Sequence, residues 1–153
     1  MANYAANLDD ALRALELTEQ SLAIRRGLHG DRHPDTAMSL NTLATYADAL
    51  GDQQRALDLA QQGLAIQHEL FGLRHPATAK CLHNTAGYLL KLGKTNEAYT
   101  QAQAAYDLFR QLIGTKHPQT LSTAKLICRI KRPGFRLPSL RKGGGGKKAK
   151  PRK

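Results

Sequence analysis

Gly30-Asp31-Arg32-His33-Pro34-Asp35-Thr36 returns 42 residues later as Gly72-Leu73-Arg74-His75-Pro76-Ala77-Thr78. After another 42 residues, Gly114, Lys116-His117-Pro118 and Thr120 keep its frame. The likeness reaches well upstream. Residues 13–37 and 55–79 agree at 15 of 25 positions, among them Arg13/Arg55, Leu22/Leu64, Ile24/Ile66 and Leu28/Leu70. A fixed period of this length marks a stack of repeated supersecondary units, each unable to bury its apolar face alone.

Within one period the apolar spacing is helical. Residues 8, 12, 15, 22 and 28 share one stripe, which predicts a helix from Asn7, its candidate N-cap, to Leu28, closed by Gly30. Proline is favoured at the first helical position, where its missing N–H has no partner to lose, so His33-Pro34 opens the next helix, which runs to Leu50. The same grammar predicts helices over about 53–71, 76–92, 95–113 and 118–132. The expected fold is all-α: about six helices in antiparallel pairs forming an α-solenoid. Small residues (Ala44, Ala56, Gly63, Ala86, Ala98, Ala105) fall where helices must approach, and Leu40, Leu43, Tyr46, Leu57, Leu64, Leu82, Tyr88, Tyr99 and Tyr106 fill between them.

Charge divides the chain. Residues 115–153 hold 13 of the 23 Lys and Arg and none of the 12 Asp and Glu. Pro133, Gly134, Pro138 and the run Gly143 to Gly146 forbid a helix there, and one sign of charge with few apolar residues cannot offset the entropy of ordering. We therefore expect a helical repeat domain over 1–132 (a half repeat, two full repeats and a closing helix) and a disordered basic tail over 133–153. The N-terminus lacks the basic start and apolar core of a signal peptide, and no stretch approaches the ~20 apolar residues of a membrane span. The expected location is cytoplasmic, or nuclear in a cell with a nucleus. Cys81 and Cys128 are too few for a disulfide framework. Cys128 aligns with Ala44 and Ala86, which predicts a buried free thiol.

Leu43-Ala44, Gly51, Arg55-Ala56-Leu57 and Gly63-Leu64-Ala65-Ile66 resemble a tetratricopeptide (TPR) repeat. The ordinary period is 34 residues. The 42-residue form, with His-Pro-Asp-Thr-Ala ahead of Leu-Asn-Thr-Leu-Ala, is similar to the kinesin light chain and nephrocystin type. The resemblance implies a right-handed superhelix and a concave groove that binds extended peptides, lined by the first helix of each pair. Carried onto this chain, the groove holds Asn41, Thr45 and Asp48, with Met38 beside them, then Lys80, His83, Asn84 and Lys91 with Gly87, then Lys125 and Arg129 with Ser122. Its increasingly basic character predicts a protein partner with an acidic, extended segment.

No Ser/His/Asp or Cys/His spacing argues for a nucleophile, and equivalent His-Pro pairs of a stack lie apart, so neither catalysis, a metal nor a cofactor is expected. Gly143 to Lys148 lacks the spacing of a phosphate-binding loop. The alternative function places binding in the tail: Arg141, Lys142, Lys147, Lys148, Lys150, Arg152 and Lys153 would contact phosphates of nucleic acid or an anionic surface, or serve nuclear import. Self-association through the N-terminal helix is a third expectation, with Leu8, Leu12 and Leu15 as its apolar strip.

Overall fold

The computed structural model describes residues 2–130, so every assignment to the basic tail, and the end of the last helix at 131–132, lies outside the described residues. Six helices make up the described chain: α1 (Ala2–His29), α2 (Pro34–Ala49), α3 (Gln53–Phe71), α4 (Pro76–Lys91), α5 (Thr95–Ile113) and α6 (Pro118–Ile130). Each packs on the helix before it and the one after, the tightest pairs being α2 with α3 and α4 with α5; α4 also touches α6. This serial nesting is the geometry of a solenoid.

The His-Pro pairs start helices by a mechanism more specific than proline's fixed φ. His33 and His75 sit at the N-caps of α2 and α4, each with extended backbone. Their Nδ1 atoms accept from the N–H of Asp35 at 3.2 Å and of Ala77 at 3.1 Å, and His117 accepts from Gln119 at 3.2 Å. The imidazole thus replaces the usual Ser or Asp cap, satisfying one of the helix's orphan donors. His29 and Phe71 stack on the capping rings of His33 and His75 with centroids 4.4 Å apart.

The core runs along the stack as a ladder of alanines. Ala44, Ala56, Ala86, Ala98 and Ala105 are fully buried, and Gly63 is buried on α3. Leu40, Leu43, Leu57, Leu89 and Phe109 fill the space between them.

Three expectations are corrected. Asn7 caps nothing: α1 already begins at Ala2, because Ala2, Ala5 and Ala6 are strong helix formers that extend the helix through it. Cys128 is exposed, and Cys81 is the buried thiol; α2 and α4, which carry Ala44 and Ala86, are each followed by a helix packed on them, and among the described residues none follows α6. Leu15 is 7% exposed and belongs to the core, so it cannot form an outward strip with Leu12. Among the described residues, the large apolar side chains that α1 exposes are Leu12, Leu17, Ile24 and Leu28. No described helix is long and apolar enough to cross a membrane.

Candidate functional site

Helices α2, α4 and α6 each follow a His-Pro start, and their polar sides meet in two adjoining cavities. One, of about 460 Å³, lies between α2, α3 and α4 and is lined by Met38, Asn41, Thr45, Lys80, Cys81 and Asn84, with Gln67 and Phe71 from α3. The other, of about 490 Å³, is lined by Thr45 and Asp48 of α2, His83, Asn84, Gly87 and Lys91 of α4, and Ser122, Lys125 and Arg129 of α6. Thr45 and Asn84 belong to both, so the nine residues assigned to the groove line one continuous surface.

Their charges are not equally available. Lys91 Nζ lies 2.6 Å from both carboxylate oxygens of Asp48, whose side chain is only 19% exposed. That pair lies within the protein, so the Lys91 charge is already matched by Asp48. Lys80, Lys125 and Arg129 have no carboxylate within ion-pair distance among the described residues. Lys125 and Arg129 are one helical turn apart and so project from the same side of α6.

His83 contributes no cation. Burial pushes its imidazole below the ordinary histidine range, and its Nδ1 lies 2.9 Å from Thr123 Oγ1. Burial raises the Cys81 thiol, with a smaller opposing effect from Asn41, whose Nδ2 donates to Cys81 Sγ at 3.0 Å. A buried protonated thiol is a poor nucleophile. Among the described residues no group of three or more His, Cys, Asp or Glu is placed to hold a metal ion.

Gln67 and Phe71 lie outside the expected groove set, which draws only on the first helix of each pair. The available signal is register: Gln67 occupies the position of Phe109, 42 residues on.

Two profiles of the tetratricopeptide repeat match the chain, over residues 1–69 and 78–119. The chain belongs to the tetratricopeptide repeat family. Its form is that of the kinesin light chain type. A crystal structure of a kinesin light chain-like protein of Podosopora anserina with nearly identical TPR-like repeats superposes with a TM-score of 0.75 at 26% identity, over 84% of this chain and 61% of that one. A variant of the same Podosopora anserina protein gives the same score and identity over 60% of its length. BtubC (BKLC) of P. vanneervenii shares the fold at a TM-score of 0.60 and 16% identity, over 80% of this chain and 63% of that one. This TPR protein therefore spans somewhat under two thirds of the structures it matches. Comparison with curated protein sequences gave no match. TPR repeats are protein-interaction scaffolds, and the repeat architecture here is that of a scaffold.

Proposed function

We propose that the chain is a non-catalytic adaptor whose concave face holds an extended acidic segment of a partner protein. The observation that carries this reading is the convergence of three helices on one cavity lined by Lys91, Lys125 and Arg129, in which the carboxylate among the described lining residues, Asp48, is paired with Lys91. Asn84 supplies amide hydrogen bonds to the peptide backbone, and Lys80 extends the positive surface into the adjoining cavity.

Fluorescence anisotropy with a labelled peptide of Glu and Ser tests it. Charge-assisted hydrogen bonds contribute roughly 1.5–3 kcal/mol each, so Lys125→Glu with Arg129→Glu should weaken binding by at least about tenfold. Asp48→Asn should act in the opposite direction, by roughly two- to fivefold, because it releases Lys91 to the ligand; the half-exposed ion pair in the protein otherwise competes with the incoming carboxylate. Unchanged affinity in the double variant rules the reading out. Deleting residues 133–153 should leave this binding intact, whereas the rival reading, phosphate contact through the basic tail, requires nucleic-acid affinity and its salt dependence to disappear with them.

A further inference from the structure

Each repeat pairs a helix that opens with His-Pro with the helix after it, and the described residues hold two such pairs, α2 with α3 and α4 with α5. One helix of each kind is left over, α6 at one end and α1 at the other. The face of a His-Pro helix that meets its follower is known from α2: the Ala37 carbonyl lies 3.3 Å from the place a Cβ would take at Gly63 of α3. Ala37, Leu40 and Ala44 of that face recur in α4 as Ala79, Leu82 and Ala86, and all six are buried. In α6 the same positions hold Leu121, Ala124 and Cys128, with Leu121 49% exposed and Cys128 exposed. The leucine has moved about one turn along the helix, so the face keeps nearly the same apolar volume, but nothing described covers it.

The other end shows the complementary pattern. Leu17 and Ile24 of α1 are 65% and 62% exposed, whereas Leu59 and Ile66, one period on in α3, are partly buried against the core. Leu28 continues the stripe, because residues 17, 24 and 28 fall within ~40° of one another at 3.6 residues per turn. Beside it, the buried small face of α3, Ala56, Ala60 and Gly63, returns in α1 as Ala14, Thr18 and Ser21, so a helix can still approach closely. The Thr18 hydroxyl is already satisfied within α1, donating to the Ala14 carbonyl at 2.6 Å. Among the described residues no helix packs over the stripe.

We propose that these two faces fit each other: α6 of one molecule packs on α1 of a second as α2 packs on α3, so that two copies of the chain complete a third helix pair and stack head to tail. The repeat itself says what the occupant is. Inside the chain, a face with the register of α1 is covered by a His-Pro helix, and α6 is such a helix with its own matching face open. The residues that follow α6 do not serve in its place. The helix that covers α4 is Thr95–Ile113, and one period further on the sequence carries Pro138, Gly143 to Gly146 and Pro151, which bar an equivalent helix. Because two different surfaces meet, the contact is heterologous: each added copy leaves one face open for the next. The stacking also brings α2 of the second molecule beside α6 of the first, so the polar faces of the His-Pro helices run on from one copy to the other. It does not depend on the peptide reading.

The test is sedimentation velocity of the full chain over a concentration series, in ~0.5 M salt so that the repulsion between copies of formal charge +11 is screened. The weight-average mass should rise with concentration past twice that of the monomer. Ile24→Glu spoils the α1 face and Leu121→Glu the α6 face; both side chains are exposed, so helix content and melting temperature should not change. Each variant alone should stay monomeric throughout. An equimolar mixture of the two should form a dimer and nothing larger, because each keeps one sound face and the sound faces are of opposite kind. Leu17→Glu and Cys128→Glu, on the same two faces, should repeat all of these results should either first variant fold poorly. An unmodified chain that stays monomeric at every concentration overturns the proposal, whether its ends are bare or covered by residues 131–153. Assembly of Leu121→Glu on its own, the result of an α1-to-α1 contact, overturns it too, as does a mixture that remains monomeric while the unmodified chain assembles.

Discussion

Replacing Phe109 by alanine is expected to remove about 3–5 kcal/mol of stability, the range for truncating a buried phenylalanine. Phe109 heads the largest fully buried side chains and stands where α5 meets the polar faces of α4 and α6, beside Lys80, His83, Asn84, Gln119 and Ser122. These neighbours are anchored on two other helices, which limits collapse into the space left behind, and an uncollapsed cavity raises the cost. Against a total of roughly 5–15 kcal/mol for a domain, the loss is large. It should also be local. A stack of repeats is close to one-dimensional, each unit being stabilised by its neighbours, and among the described residues α6 has only α5 and a small part of α4 to rest on. Urea unfolding should show the lowered midpoint, and native-state hydrogen exchange should show α6 losing protection before α2 and α3. A change below about 1 kcal/mol, well under the range for a buried aromatic, or protection lost evenly along the chain, would refute this placement of Phe109.

Much of the fold is legible in the chain because the repeat prints the same instructions several times. Five glycines, Gly30, Gly51, Gly72, Gly93 and Gly114, close five helices, and all five have positive φ. The small residues expected at close approaches are the buried alanines of the core. What escapes a reading by position in the period depends on neighbours. Cys128 has the register of Ala44, but among the described residues no helix follows its own. His33, His75 and His117 are legible as markers of helix starts, but their role as imidazole caps depends on a ring orientation that spacing does not specify. The cross-helix pairs Asn41–Cys81, His83–Thr123 and Asp48–Lys91 lie 40, 40 and 43 residues apart, close to one period, as side-by-side first helices demand. That rule is contained in the repeat length alone, and it withdraws Lys91 from the free cations of the groove. Gln67 is the opposite case: nothing local distinguishes it, and only its register against Phe109 does.

The link between α3 and α4 sets how one pair of helices nests on the next, and Gly72 to alanine should cost it about 1–3 kcal/mol, the strain carried by a residue in a sparsely populated backbone region. Gly72 has φ +74° and ψ −175°, a region populated essentially by glycine. Crowding adds nothing, because a Cβ there would meet no atom within 4 Å. The backbone alone is responsible, and it is tied down from within: the Gly72 carbonyl accepts from Thr78 Oγ1 at 2.9 Å, and Thr78 is fully buried. The chain uses the same clasp from Thr36 to Gly30 at 3.0 Å and from Thr120 to Gly114 at 2.7 Å. An L-alanine that relaxes its φ must swing this carbonyl off the hydroxyl, and a buried group left unpaired costs about 1–3 kcal/mol; strain and the lost bond are therefore alternatives, not a sum. Thr78→Val should cost a similar amount, and combining it with Gly72→Ala should cost less than the two added, because both break one connection. A D-residue decides the cause. Its mirror-image preference turns φ +74° and ψ −175° into the extended polyproline region, which is freely allowed. A semisynthetic chain with D-alanine at position 72 should therefore match the stability of the glycine protein in thermal unfolding, while L-alanine falls below it. Equal losses from both enantiomers would place the cost in the side chain and remove the backbone argument.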